Sequence, residues 1–313
     1  MSLVDISIII ATRNREKILW ETVEKARQAI KNKKVELIVV NDSDSRIIVP
    51  QKISDGIVYL DNPRKGVSSA RNFGAFNAKG SILFFIDDDM WINNEVIDWI
   101  NYSLIENKNE EAAYNMNWEY PPSLNEKLFN SKIGKYILAH NYNSMWGRMH
   151  QKEEKPINGL YSYKIIGSCS LIMSKKIFNK IGGYNEAMIF QGEDIDLSNK
   201  LNSFSIPIYC VFDITLYHNH QDRLEIDSFL KRNSDGFESE FKAVRSGFIE
   251  PLSDIKYHGI KKRMFNFFSL TEKGWIFLLK IIPNQSFFIS VNNKLIGYLE
   301  SLQRYKQWKK ILG

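Results

Sequence analysis

Of the 313 residues in this chain only two are cysteines, Cys169 and Cys210, far apart and each inside an apolar, strand-like run. A disulfide-dependent fold uses more cysteines in a shorter chain, so both read as reduced core thiols of a cytosolic protein. No apolar window reaches the roughly 18 residues that a membrane-spanning helix needs. The longest late candidate, Trp275–Ile282 ("WIFLLKII"), is too short and contains Lys280. "MSLVDISIIIATRN" has no charged leader followed by a long apolar core, so no signal peptide is expected. Low-complexity tracts and internal repeats are also missing. At 44% hydrophobic and 25% charged, the composition is that of one large α/β domain or two smaller ones, not of a disordered chain.

Acidic residues are scarce only locally. The chain carries a net charge of +6, yet Ile255–Gly313 holds eleven Lys or Arg against two Glu, a local +9. The body is therefore slightly acidic, at −3. The same tail holds eleven aromatic residues, Phe267, Trp275, Phe277 and Trp308 among them.

The body reads as alternating strands and helices. "DISIIIATRN" is a buried-type strand ending in a polar break, and Arg15–Ile30 has a helical apolar face of Ile18, Leu19, Val23, Ala26 and Ile30. "VELIVVND" and "IVYLDN" are further strands, Val67–Ala78 is a helix that starts after Gly66, and "SILFFID" is a fourth strand. Continuous apolar strands separated by helices predict a mostly parallel α/β sheet covered on both faces. In such sheets ligands bind beyond the carboxyl ends of the strands. Asp42, Asp61 and the triplet Asp87, Asp88 and Asp89 fall at those ends. "AAYNMNWEY", "SCSLIMS" and "IPIYCVFDITLYHNH" read as later strands, and beyond Asp222 the pattern is helical.

Three acidic or imidazole groups carry candidate chemistry. Adjacent carboxylates repel each other unless a hard cation neutralises them, and Mg²⁺ or Mn²⁺ takes such oxygen ligands together with substrate phosphates. Strand alternation would point Asp87 and Asp89 one way and Asp88 the other. The bland alternative for the triplet is a solvated turn that caps the next helix. "QGEDIDL", with Glu193, Asp194 and Asp196, is either an acid-capped helix start or the source of a general base. His218, in "YHNH", is either a structural histidine or a metal ligand.

Taken in order, "SIIIATRNR", "ELIVVNDSDS", "KGVSSARNFGAFNAKGSILFFIDDDM", "GGYNEAMIFQGEDIDLSNKL" and "YHNH" resemble family 2 glycosyltransferases over about Ile6 to His220. The resemblance implies the GT-A fold: a Rossmann-like, mostly parallel sheet with helices on both faces, here followed by a helical C-terminal extension. It implies a catalytic domain over residues 1–221, with an acceptor-side insertion at about 120–161, and an extension over 222–313. It implies inverting transfer of a hexose or N-acetylhexosamine from a UDP-sugar to a hydroxyl of a glycan or lipid-linked acceptor, in cell-surface polysaccharide synthesis. Carried over residue by residue, Thr12, Arg13, Asn14, Asp42, Arg64, Gly66 and Arg71 would hold the donor, with Asp87 and Asp88 at its ribose. Asp89, His218 and Asp87 would ligate Mn²⁺ or Mg²⁺. Asp194, paired with Glu193, would be the catalytic base. This chain departs from the family's pattern at "FIDDDM", where many members have a small residue between the aspartates, so the register of the Asp88 and Asp89 contacts stays open.

Two further functions share these motifs: a nucleotide-sugar-binding scaffold without turnover, and a metal-dependent nucleotidyltransferase. The basic aromatic tail reads in two ways, as an element lying on the inner face of a membrane or as packing against the body. Nucleic acid is not an expected partner.

Overall fold

The computed structural model describes residues 4–150, 159–188, 192–247 and 257–313. Residues 151–158 of the expected insertion, Ile189–Gln191 of the "GGYNEAMIFQGEDIDL" run, and residues 255–256 of the tail lie outside the described residues. In chain order the main elements are β1 (Ile6–Thr12), α1 (Glu16–Ala29), β2 (Val35–Asn41), β3 (Ile57–Asp61), α2 (Val67–Asn77), β4 (Ile82–Asp87), β5 (Met90–Trp91) and α3 (Asn94–Ile100). There follow β6 (Ala113–Glu119), α4 (Lys132–Ala139), β7 (Leu160–Tyr163), β8 (Ser170–Ser174), α5 (Lys175–Lys180), α6 (Glu193–Ser203) and β9 (Ile208–His218). The chain closes with α7 (Ile226–Arg245), α8 (Gly259–Leu270), α9 (Glu272–Ile281) and α10 (Ile289–Ile311).

Two compact units result: Met1–Glu119 with Glu154–Asn219, and Tyr120–Glu153 with His220–Gly313. The segment read as an insertion divides between them, because Leu160–Tyr163 is a strand hydrogen-bonded to β9. The first unit is an α/β sheet in the order β3-β2-β1-β4-β8-β6-β9-β5, with β7 also on β9. From β3 to β4 the strands are parallel. Beyond β4 the sheet turns mixed, since β8 runs antiparallel to both β4 and β6 while β6 and β9 are parallel.

Burial on both faces explains the unbroken apolar runs. Successive strand side chains point to opposite faces, and Ile8, Ile9 and Ile10 of β1 are all fully buried. On one face Ile9, Ile38, Val40 and Phe85 pack with Ala70 and Ala75 of α2, Phe178 of α5 and Leu197 of α6. Gly74 lets α2 lie close on the sheet: a Cβ there would stand 2.5 Å from Ile9 Cγ2 and 3.1 Å from Val40 Cγ2. That approach sets the depth of Arg71, one turn earlier on the same helix.

In the second unit, α10 packs with α7, α4, α9 and α8 around Leu295, Ile296, Leu299 and Leu302. Asn233 Nδ2 donates to Glu300 Oε1 at 2.7 Å, and Tyr136 donates to the other oxygen.

Gly74→Val is expected to cost about 2 kcal/mol by overpacking the α2–β1 contact, read as a lower denaturant midpoint. An unchanged midpoint would show that α2 does not need that close approach.

Candidate functional site

Parallel register brings the strand ends into one line. Thr12 pairs with Asn41, Asn41 with Asp61, and Ala11 with Asp87, so the carboxyl ends of β1 to β4 lie side by side. Beyond them the chain closes a bracket. Asp42 Oδ1 accepts from Asn62 Nδ2 at 2.8 Å and from the Gly66 amide at 2.9 Å. Gly66 has φ +121°, in the region that favours glycine, and precedes the first turn of α2. Asn14, also at positive φ, donates its amide to Ser43 Oγ, and Arg13 lies 3.8 Å from Asp44. Thr12, Arg13, Asn14, Asp42 and Gly66 thus share one rim. Arg64 stands on the same loop as Gly66, largely exposed, with its guanidinium 2.7 Å from Glu186.

Arg71 gathers the catalytic candidates. Its side chain is buried, with Nη2 2.8 Å from Asp87 Oδ1 and Nη1 2.9 Å from Glu193 Oε1. Its guanidinium also lies 5.4 Å from the Tyr184 ring centroid. Asp194, next to Glu193 in the first turn of α6, accepts from the Ser168 amide at 2.9 Å and from the Ser168 hydroxyl. Tyr184 Oη donates to that hydroxyl oxygen at 2.9 Å. Burial pushes the Glu193 carboxyl up to about 7, with Asp194 adding to it and Arg71 opposing. Burial also raises Asp194, against the pull of Arg71 and Ser168. A carboxylate raised by burial is a better proton acceptor than an exposed one.

The turn after β4 forms a second cluster. β4 ends at Asp87, and Asp88 and Asp89 occupy the turn before β5. Strand alternation therefore does not carry across the triplet, and the expected pairing of Asp87 with Asp89 gives way to another division. Asp87 pairs with Arg71, whereas Asp88 and Asp89 take the two ends of the Arg15 guanidinium, the second at 2.9 Å. Thr12 Oγ1 donates to Asp88 Oδ2 at 2.7 Å, and Thr22 Oγ1 donates to the Asp88 carbonyl at 2.7 Å. Asp88, expected as the odd member, is buried, and burial pushes its carboxyl up to about 7 against the pull of Arg15.

His218 ends β9, where it pairs with Met90 of β5, and its Nε2 lies 3.0 Å from Asp89 Oδ1. A buried carboxylate oxygen and an imidazole nitrogen this close form a donor set that fits Mn²⁺, with Mg²⁺ favouring the oxygen alone. Arg15 holds the other oxygen of Asp89, so a cation and the guanidinium would share that carboxylate. Trp118, edge-on to His218 at 4.8 Å between centroids, fixes the ring.

Sequence reasoning passed over Arg15, Ser168 and Tyr184. The signal for Arg15 was the triplet itself, since buried carboxylates need a cation and "TRNR" supplies one beside a strand end. Ser168 and Tyr184 left no such signal, because their roles exist only once β8 lies against β4.

Arg15→Met removes the guanidinium from two buried carboxylates, which is expected to cost about 3 kcal/mol at pH 8. Asp88 binds protons more readily folded than unfolded, so its unrelieved charge destabilises most above its folded pKa and least below it. The loss, measured by urea denaturation, should shrink toward pH 5. A loss independent of pH would contradict this pairing.

Residues 7–182 match Glycosyl transferase family 2. An uncharacterized glycosyltransferase of Rickettsia typhi is 26% identical over 272 residues, 84% of this chain and 77% of that protein. A minor teichoic acid biosynthesis protein of Bacillus subtilis, GgaB, is 35% identical over 113 residues, 34% of this chain but 13% of its own length. Among solved structures, a mannosyltransferase of Pyrobaculum calidifontis in complex with GDP-Man and Mn²⁺ matches with TM-score 0.54 at 13% identity, covering 98% of this chain and 86% of that one. GalNAc-T7 with UDP, GalNAc and Mn²⁺ matches with TM-score 0.53 at 13% identity, covering 99% and 56%. These likenesses carry the fold, which is the GT-A fold expected from the sequence. With a match spanning more than half of its residues, the chain belongs to glycosyl transferase family 2.

Proposed function

We propose that this protein is an inverting, metal-dependent glycosyltransferase that moves a hexose or N-acetylhexosamine from a UDP-sugar to a hydroxyl of a glycan or lipid-linked acceptor. The observation that carries the reading is the set of carboxylates around the buried Arg71. It joins Asp87, at the end of β4, to Glu193, with Asp194 beside it fixed by Ser168. Asp194 serves as the base: it takes the proton of the acceptor hydroxyl while that oxygen forms its bond to the anomeric carbon. The bond from that carbon to the nucleoside diphosphate breaks on the opposite face. One displacement with one base inverts the centre, by the same geometry as inverting hydrolysis with an alcohol in place of water.

Raised by burial, Asp194 is a stronger base than an exposed aspartate. Glu193, tied to Arg71, holds the start of α6 in register with Asp87. Thr12, Arg13, Asn14, Asp42, Arg64 and Gly66 are assigned to the nucleotide, around the bracket that Asp42 and Gly66 close. Asp87 and Asp88 are assigned to the ribose side of the donor, and Asp89, His218 and Asp87 to Mn²⁺ or Mg²⁺. When bound, that cation supplies Lewis-acid neutralisation of the diphosphate leaving group. Similarity to GgaB over a third of the chain supports a place in cell-surface polysaccharide synthesis. A lipid-linked acceptor would bring the protein to the inner face of a membrane.

Asp194→Asn is expected to lower the transfer rate by about 10³-fold or more, while UDP–Mn²⁺ affinity measured by calorimetry stays within about twofold. Transfer at the parent rate would remove Asp194 as the base. Asp89→Ala and His218→Ala are each expected to weaken UDP binding in Mn²⁺ by roughly tenfold or more, with little change when EDTA replaces the metal. Equal affinities in Mn²⁺ would strike both from the ligand set.

A further inference from the structure

We propose that α8 and α9 form a docking surface for an anionic phospholipid bilayer, on which they lie without crossing it. This deepens the lipid-linked acceptor of the proposed function but stands on the second unit alone. The packing alternative for the tail's aromatics applies to only part of them. Tyr257, Phe265, Tyr305 and Trp308 pack on one another, with centroid distances of 4.8 Å for Tyr257–Tyr305 and 5.1 Å for Phe265–Tyr305. Phe268 and Trp275 both pack edge-on against Tyr298. A second set is turned outward. No residue of α8 is buried, and Phe267 is 62% exposed and Ile260 76%. Ile260, Met264 and Phe267 follow at i, i+4 and i+7, which places them on one stripe of the helix. In α9 Phe277 (64% exposed) and Ile281 repeat the pattern at i, i+4, while Leu279 is the side chain turned inward.

Charge selects the occupant. Residues 257–288 carry Lys261, Lys262, Arg263, Lys273 and Lys280 against the single acid Glu272, whose carboxylate accepts from Lys306 and Gln303, while Lys280 also donates to Asp227 of α7 at 2.8 Å. Like charge opposes pairing with a second copy through this face. Apolar stripes flanked by Lys and Arg match the boundary between headgroups and acyl chains, and basic residues are drawn to anionic lipid. Among the described residues no helix is long and apolar enough to cross a membrane, so these helices lie in the interface plane.

The full chain is mixed with vesicles of phosphatidylcholine alone, or with about 30% phosphatidylglycerol, at about 0.1 M and 0.5 M NaCl, and floated on a density gradient; the two salts differ roughly twofold in screening length. It should float with the anionic vesicles at low salt and stay behind with the neutral ones. The triple variant Lys261→Gln, Lys262→Gln, Arg263→Gln should bind roughly a hundredfold more weakly. The double variant Phe267→Ser, Phe277→Ser should lose flotation while its melting curve and its transfer to a soluble acceptor match the parent. Asp194→Asn protein should float like the parent, which separates this surface from the catalytic assignment. Recovery of the parent in the unbound fraction with anionic vesicles would overturn the proposal. So would equal flotation with neutral ones, or a dimer by light scattering that the double variant dissolves without any flotation.

Discussion

Three carboxylates in a row at the end of a buried strand are tolerable here because two guanidinium groups meet them. Arg15 takes Asp88 and Asp89, and Arg71 takes Asp87. Coulomb repulsion among buried like charges is severe at low dielectric, and the remainder of the first unit is arranged to bring those two cations to the turn. Arg15 sits at the N-cap of α1, three residues beyond the end of β1, and α2 is seated low on the sheet by Gly74, which buries Arg71. Arg71 then has a second guanidinium nitrogen for Glu193, which ties the first turn of α6 to the strand ends. The two guanidinium groups offset only part of this charge, because Arg71 is shared between Asp87 and Glu193, so the turn stays net acidic. A cation at Asp89 and His218 adds to a turn that the protein already holds in shape.

The parallel half of the sheet was legible because its cause is local. A strand buried on both faces must be apolar through its centre, and "IIIA", "LIVV" and "ILFFI" are. Placing the polar residues at strand ends followed from the same runs, since in-register parallel neighbours bring Thr12, Asn41 and Asp61 into line, with Asp87 opposite Ala11. The mixed half was less legible. β8 and β6 read as strands, but their direction is set by pairing partners far along the chain.

Within the candidate site, the grouping of residues could not be read from spacing. Alternation assigned Asp87 and Asp89 to one side, but it holds only while the backbone stays extended, and β4 stops at Asp87. The contacts of Asp194 with Ser168, and of Ser168 with Tyr184, join three separate segments and have no counterpart in spacing. In the second unit the composition of the tail was plain, but whether a given Phe faces inward or outward depends on the helix phase. Phe268 packs while its neighbour Phe267 is exposed.

The account rests on a single displacement with Asp194 as its base, and the anomeric configuration of the product tests it most directly. With a UDP-α-sugar donor that the protein turns over, proton NMR of the first-formed glycoside should show the β-anomeric coupling. A product that keeps the α configuration would mean two displacements or a different assembly of these carboxylates, and would contradict the account.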